Sequence, residues 1–129
     1  MDIVYYHDPN LGYCPVKKYL SQYLGHKIII IIDGKIRYVA ENDGRPVPPI
    51  SFPLVDFSFL NIHHRKDKNI LIRICYFRHE DKMVLLHAFE KPDSYDTERE
   101  KRTINKEFMV AENYIKKFKL NVKLYEEYI

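Results

Sequence analysis

The sequence predicts a small α+β domain, in which an antiparallel (mixed) sheet of about four strands packs against two N-terminal helices and a long C-terminal helix. Residues 70–92 carry the main evidence, because two β-rich runs flank a charged tip in the manner of a hairpin. Apolar residues recur at helical spacing in residues 16–24 and 104–118. With 129 residues, we expect one domain spanning 1–129.

Composition narrows the class of protein. Apolar residues make up 46% and charged residues 30% of the chain, and the net charge is +3, which permits a polyanionic partner. The chain has neither an apolar run long enough to span a membrane nor a signal peptide, so we expect a cytoplasmic protein with no membrane partner. Cys14 and Cys75 form no metal motif, and we expect reduced thiols, no metal and no cofactor.

The N-terminal third begins with a β-rich segment at residues 2–6, which predicts the first strand. Pro15 then suits the first position of a helix that Gly25 can end. Residues 27–42 have two interpretations. The isoleucine run favours a strand, whereas a stripe through Ile32, Ile36 and Val39 fits a helix, which is our prediction.

The middle of the chain contains four prolines in residues 45–53, which predict an extended connector that is neither helix nor central strand. Residues 57–63 are predicted to form a strand that enters the sheet, and residues 63–68 a basic turn. After the hairpin, Thr97 and Glu100 match a capping box at the start of the long helix. The tail, residues 120–129, fits either an extension of that helix or a strand.

The register of the hairpin determines which charged residues share a face. If residues 79–81 form a three-residue tip, Arg73 lies opposite His87. Because side chains alternate along a strand, Arg73, His87 and Lys91 would then lie on one face of the sheet, and a one-residue slip would separate them. Charges in strands that otherwise look buried need either a functional site or partners.

The hairpin and the first helix resemble the phage-derived, HigB-type branch of the RelE toxin superfamily. The resemblance rests on Arg73-Ile74-Cys75-Tyr76-Phe77, on Val84-Leu85-Leu86-His87-Ala88-Phe89-Glu90-Lys91 and on the helix start Pro15-Val16-Lys17-Lys18-Tyr19-Leu20. It implies a RelE-like domain and the toxin of a type II toxin–antitoxin system. Such toxins are basic endoribonucleases that cut mRNA on the ribosome and inhibit translation, and a cognate antitoxin, often of helix-turn-helix type, neutralises them.

For metal-independent RNA cleavage, the expected catalytic residues are Arg73, His87 and Lys91. Arg73 and Lys91 would hold the scissile phosphate, and His87 would move a proton. Each residue also has a structural interpretation: an ion pair for Arg73, a satisfied core side chain for His87 and a solvated strand end for Lys91.

The expected RNA-binding residues form the basic turn. They are His63, His64, Arg65 and Lys66. Adjacent residues of an extended chain point to opposite faces, so at most one of the two histidines would serve the site. A solvated loop is the structural alternative. Tyr95, Tyr125 and Tyr128 are weaker candidates for stacking on bases.

Two other functions stay open at this point. The family usually has a basic residue after the Lys91 position, where this chain has Pro92 and Asp93. This difference motivates a non-catalytic member that binds an antitoxin-like partner or RNA. A regulator that binds nucleic acid through the basic turn is a third possibility, although no recognition-helix signature supports it.

Overall fold

The structure, a computed structural model, describes residues 1–54, 56–92 and 97–128. Within these ranges, helices pack on both faces of one mixed sheet, so the predicted α+β class is confirmed. The elements are β1 (Asp2–Tyr6), α1 (Pro15–Tyr23), α2 (His26–Glu41), β2 (Ser51–Pro53), β3 (Leu60–Arg65), β4 (Ile70–His79), β5 (Lys82–Pro92), α3 (Glu98–Leu120) and β6 (Tyr125–Glu127). None of the helices in these ranges is both long and apolar enough to cross a membrane.

The sheet has six strands rather than about four, in the order β2-β3-β4-β5-β1-β6. The two strands at its edges, β2 and β6, were not assigned from the sequence. Pro53 is the last residue of β2, where a missing N–H group is tolerated because the strand has a partner on one side only. The structure decides between the two alternatives for residues 120–129: α3 ends at Leu120, and the short strand β6 follows.

The first strand lies inside the sheet. β1 pairs in parallel with β5 and antiparallel with β6, whereas β3, β4 and β5 form a continuous antiparallel meander. β3 begins at Leu60 and extends to Arg65, so the predicted strand at 57–63 starts too early. His63, His64 and Arg65 are therefore strand residues, and the basic-turn prediction was wrong for them.

Each face of the sheet carries its own apolar core. α1 and α2 cover one face, where Val16, Leu20, Ile32 and Ile36 pack in the same cluster as Ile72 and Ile74 of β4. α3 covers the other face with the stripe that its periodicity predicts. The residues buried there include Ile104, Phe108, Ala111, Ile115 and Phe118 from the helix and Cys75, Phe77, Leu86 and Phe89 from the strands.

α2 is a helix, as predicted, in spite of its isoleucine run. Ile32, Ile36, Val39 and Ala40 are buried, whereas Ile30 and Ile31 are exposed. A strand would divide these residues between two faces, but the helix places the buried set against the sheet. Tertiary packing thus overrides the local β propensity of the run.

The start of α3 confirms Thr97 as the N-cap, but the Glu100 carboxylate accepts the Thr97 hydroxyl rather than the backbone N–H that a capping box uses. The Thr97 side chain accepts a hydrogen bond from the Glu100 backbone N–H at 3.1 Å, and its hydroxyl donates to the Glu100 carboxylate at 2.9 Å. The first contact satisfies one of the unpaired donors of the first turn. Glu98 and Glu100 also place negative charge at the positive end of the helix dipole.

The register of the β4–β5 hairpin differs from the prediction in two places. The tip has two residues, Glu80 and Asp81, because His79 pairs with Lys82, and Glu80 adopts a φ of 55°. A second shift follows at a bulge between Cys75 and Tyr76. As a result, Arg73 lies opposite Phe89 rather than His87. Each shift moves the register by one residue, so together they restore the side-chain alternation that a single slip would have reversed.

Candidate functional site

Basic side chains from three neighbouring strands meet on the α3 side of the sheet. His63 pairs with Arg73 across β3 and β4, and Lys91 and His87 of β5 pair with Leu71 and Cys75 of β4. Leu71, Arg73 and Cys75 occupy every second position of β4, so their side chains lie on one face of the sheet. Arg73, His87 and Lys91 therefore share that face, as predicted. Contacts with α3 identify that face: Arg73 lies over the Phe108 ring, and His87 contacts Glu107.

His87 is held by a carboxylate of α3. Its Nε2 lies 2.5 Å from a Glu107 carboxylate oxygen, and its ring stacks on Phe89 with a centroid separation of 5.7 Å. An ionised carboxylate only accepts hydrogen bonds, so this contact places a proton on Nε2 and leaves the lone pair of a neutral ring on Nδ1. The pair has the fixed orientation that a proton-transfer group needs.

A surface cleft of about 260 Å³ lies beside this pair, between the end of β5 and the first turns of α3. Lys91 and Arg99 supply cations to its wall, and Glu107 lines it from the helix. Among the described residues, its lining comprises Phe89, Glu90, Lys91, Arg99, Glu100, Thr103, Ile104 and Glu107. The cleft therefore brings Lys91 and the partner of His87 to one surface.

The other carboxylates of the cleft are engaged elsewhere. Glu100 accepts the hydroxyl of Thr97, and Glu90 accepts Lys66 at 2.6 Å and the Tyr19 hydroxyl at 3.1 Å. These contacts offset part of the negative charge that would otherwise repel an anion. An anionic group in the cleft would thus meet two cations and carboxylates that already have partners.

Arg73 and Lys91 differ in their relation to the cleft, because Lys91 is one of its lining residues and Arg73 is not. Only 8% of Arg73 is exposed, and its guanidinium lies 5.4 Å from the Phe108 ring centroid. Lys91 is also buried, with 5% exposed, but it lines the cleft. Of the two cations, Lys91 is therefore better placed for contact with a ligand in the cleft, and Arg73 adds positive charge on the same face of the sheet.

His63 is a neutral member of the cluster. Burial, and after it the positive charges of Arg73, Lys91 and Lys35, together lower its pKa to about 4. Its Nε2 lies 2.8 Å from the Asn61 side-chain oxygen, and its ring contacts Phe52. At pH 7 this histidine supplies a hydrogen-bonding group rather than the charge expected of an RNA-binding cation.

We expect the His63 ring to titrate near pH 4 in an NMR pH series, and Lys91→Met to move the midpoint upward by removing one repelling charge. Lys119→Met, at the exposed far end of α3, should leave it unchanged. The unfolded chain binds this proton near pH 6.5, whereas the folded chain binds it only near pH 4. The free energy of unfolding should therefore decrease as the pH is lowered from 6.5 to 4. The loss from this group is at most about 3 kcal/mol. A midpoint near 6.5 that Lys91→Met does not move would contradict the charge cluster.

The other predicted RNA-binding residues do not join this cluster. His64 points to the α2 side, where its Nδ1 lies 3.0 Å from Lys35 Nζ, and burial together with that lysine lowers its pKa. Arg65 donates to the Lys68 backbone carbonyl near the strand end. Lys66 pairs with Glu90. The two adjacent histidines point to opposite faces of the sheet, as expected, and only His63 of the four joins the cluster on the α3 side. RNA binding by these residues stays a prediction.

The tyrosine candidates lie away from the cleft or outside the described residues. Tyr128 donates to Asp33 of α2, and Tyr125 contacts Lys82 at the start of β5. Tyr95 and Asp93 lie outside the described residues.

Sequence reasoning missed Glu107, because a glutamate beside the apolar stripe of a helix resembles any solvated residue until the register of β5 is known.

Comparisons with known proteins add no relative to this picture. No protein-family model, no curated protein sequence and no solved structure matches the chain.

Proposed function

We propose that the protein is a RelE-like, HigB-type toxin that cleaves translated mRNA without a metal ion. The observation that carries this proposal is the cleft at the end of β5, which Lys91 lines together with Glu107, the partner of His87. A cation and an oriented imidazole near one cleft are the groups that RNA transesterification requires.

The sequence resemblance supports the same function. The motif residues Arg73, His87 and Lys91 lie on one face of the hairpin. The element order on which the resemblance rests, a strand, two helices, three antiparallel strands and a helix, is present in the chain. A RelE-like architecture is thus part of the proposal, with β2 and β6 as additional edge strands.

The proposed reaction is an internal transesterification of the RNA, with His87 at one of two proton transfers and solvent water at the other. The 2′-oxygen attacks the adjacent phosphorus, a 2′-O–P bond forms, and the P–O5′ bond breaks. The 2′-hydroxyl proton passes to a base, and the departing 5′-oxygen receives a proton from an acid. We assign one of these transfers to Nδ1 of His87, which Glu107 orients, and the stabilisation of the phosphate charge to Lys91.

The proposal includes two partners. The substrate is mRNA on the ribosome, and the neutralising partner is a cognate antitoxin, of the helix-turn-helix type common in this branch. An acidic segment of that antitoxin would cover the basic residues around the cleft, so the affinity of the pair should fall as salt concentration rises. An affinity that salt leaves unchanged would argue against this electrostatic picture.

Burial of the cations favours a second candidate function. Arg73 and Lys91 are only 8% and 5% exposed, which limits the contact that a phosphate can make with either cation. A non-catalytic family member that binds an antitoxin-like partner or RNA needs no such access. This candidate predicts partner binding without RNA cleavage.

Inducible expression in a bacterial host separates the two functions. Wild-type protein should arrest growth and produce new mRNA 5′ ends, and His87→Gln should abolish both, because glutamine can bond to Glu107 but cannot transfer a proton. His26→Gln, at the exposed start of α2, is the matched control and should behave as wild type. Normal growth and intact mRNA with folded, soluble wild-type protein would refute the endonuclease and support the binding function.

A further inference from the structure

A second cluster of chemically active side chains lies on a part of the fold that the proposed RNA site does not use. His7 follows β1, Cys14 immediately precedes α1, and Glu126 lies in the middle of β6. One ligand atom from each residue lies within 4.8 Å of the others. These residues are distant in sequence, so no spacing motif announces them.

The backbone fixes the position of all three residues. Glu126 pairs with Tyr5 across β6 and β1, and the His7 N–H donates to the Leu124 carbonyl. A bridge between Asp8 and Tyr13 closes the intervening loop and returns the chain to Cys14.

The buried Asp8 carboxylate stabilises this loop, because it accepts hydrogen bonds from the Tyr6 hydroxyl, the Leu11 N–H and Lys117 of α3. These bonds measure 2.8, 2.9 and 3.2 Å.

The three ligand atoms form a compact triangle. Cys14 Sγ lies 3.1 Å from Glu126 Oε2, His7 Nδ1 lies 3.2 Å from the same oxygen, and Sγ and Nδ1 are 3.8 Å apart. Zinc bonds measure about 2.3 Å to sulfur and about 2.0–2.2 Å to nitrogen or oxygen, so two ligands of a tetrahedral ion lie about 3.3–3.7 Å apart. The triangle matches one face of such a tetrahedron to within a few tenths of an ångström.

We propose that His7, Cys14 and Glu126 bind one Zn²⁺ ion, with the fourth coordination position open to solvent. A thiolate, an imidazole and a carboxylate are the ligand set that this borderline-soft ion accepts, whereas Mg²⁺ and Ca²⁺ prefer oxygen ligands alone. The thiolate and the carboxylate together carry the two negative charges that neutralise the ion. Binding displaces the thiol proton of Cys14 into solvent.

The surroundings suit an ion with one open position. Cys14 and Glu126 line a surface cleft of about 400 Å³, so a water ligand can reach the ion from that side. Lys17 holds the other carboxylate oxygen of Glu126 at 3.1 Å, which leaves Oε2 directed at the sulfur and the imidazole. A hydrogen-bonding partner of this kind orients a ligating carboxylate. The proposed site would join β1, α1 and β6 through one ion.

Metal binding to the whole chain tests this proposal. Chelator-treated protein should bind one Zn²⁺ per chain in competition with a chromophoric chelator, and Zn²⁺ should raise the melting temperature in proportion to its binding. Co²⁺ should give the thiolate charge-transfer band and the visible bands of a tetrahedral site. Cys14→Ala should abolish the charge-transfer band and weaken Zn²⁺ binding by more than about 100-fold.

Two further variants and one control make the result interpretable. Glu126→Gln retains the size of a partly exposed side chain and removes its charge, so it should fold normally and still lose affinity by at least about 10-fold, as should His7→Gln. Cys75→Ala, which removes the other buried thiol on the α3 side, should leave binding unchanged. Absence of stoichiometric Zn²⁺ binding, or binding that Cys14→Ala and Glu126→Gln leave intact, would overturn the proposal.

Discussion

Replacing Lys91 by methionine should reduce the proposed RNA cleavage by at least about 100-fold, the effect typical of removing one group that stabilises transition-state charge. Lys91 is the strand cation that lines the cleft beside Glu107, and methionine preserves most of its apolar length while removing the charge. The measurement is the rate of mRNA cleavage in a purified translation system, with 5′ ends mapped by primer extension.

Lys119→Met is the matched control for this variant, because Lys119 is exposed in the last turn of α3. It removes the same charge from the protein without touching the cleft, so it should cleave at the wild-type rate. Circular dichroism melting of both variants separates a lost catalytic group from a lost fold. A folded Lys91→Met protein that cleaves as fast as wild type would exclude Lys91 from the reaction.

Phe118→Ala should produce the largest loss of stability of any change considered, about 3–5 kcal/mol. Phe118 is fully buried in the last turns of α3 and makes edge contacts with Phe77 and His79 at centroid distances of 5.7 and 5.2 Å. Truncation leaves a cavity that the surrounding sheet and helix fill only in part. The melting temperature should fall by roughly 10–20 °C.

Leu120→Ala provides the comparison within the same helix. Leu120 is 89% exposed, so its truncation should change the free energy of unfolding by less than about 0.5 kcal/mol. Chemical denaturation of both variants, at a common slope, measures the difference. Equal losses for the two would mean that the end of α3 does not pack on the sheet as described.

The elements with strong periodicity were predictable from the sequence. The stripe of α3 and the choice of helix for α2 follow from apolar spacing, and the capping box located the start of α3. The edge strands β2 and β6 were not predictable, because three residues carry too little pattern to distinguish a strand from a loop. Their existence depends on neighbours that only the folded sheet provides.

The candidate site shows how a correct conclusion followed from an incorrect register. The shared face of Arg73, His87 and Lys91 was predicted with Arg73 opposite His87, whereas a shorter tip and a bulge place Arg73 opposite Phe89. Local sequence contains no turn residue that fixes a two-residue tip and no signal for the bulge. The partner of His87 comes from α3, and contacts between distant elements leave no mark on local spacing.

The central position of β1 has a consequence for how the chain folds. Tyr5 pairs with Leu85 on one side and with Glu126 on the other, so both neighbours of this strand are synthesised long after it. Until then, two rows of backbone donors and acceptors are exposed in an apolar strand, which is the condition that promotes intermolecular strand pairing. Such long-range closure slows folding, and the β3–β4–β5 meander, whose contacts are local, can form first. The insertion of β1 between β5 and β6 is therefore expected to be a late folding step, and it is the step at which this protein would be most exposed to aggregation.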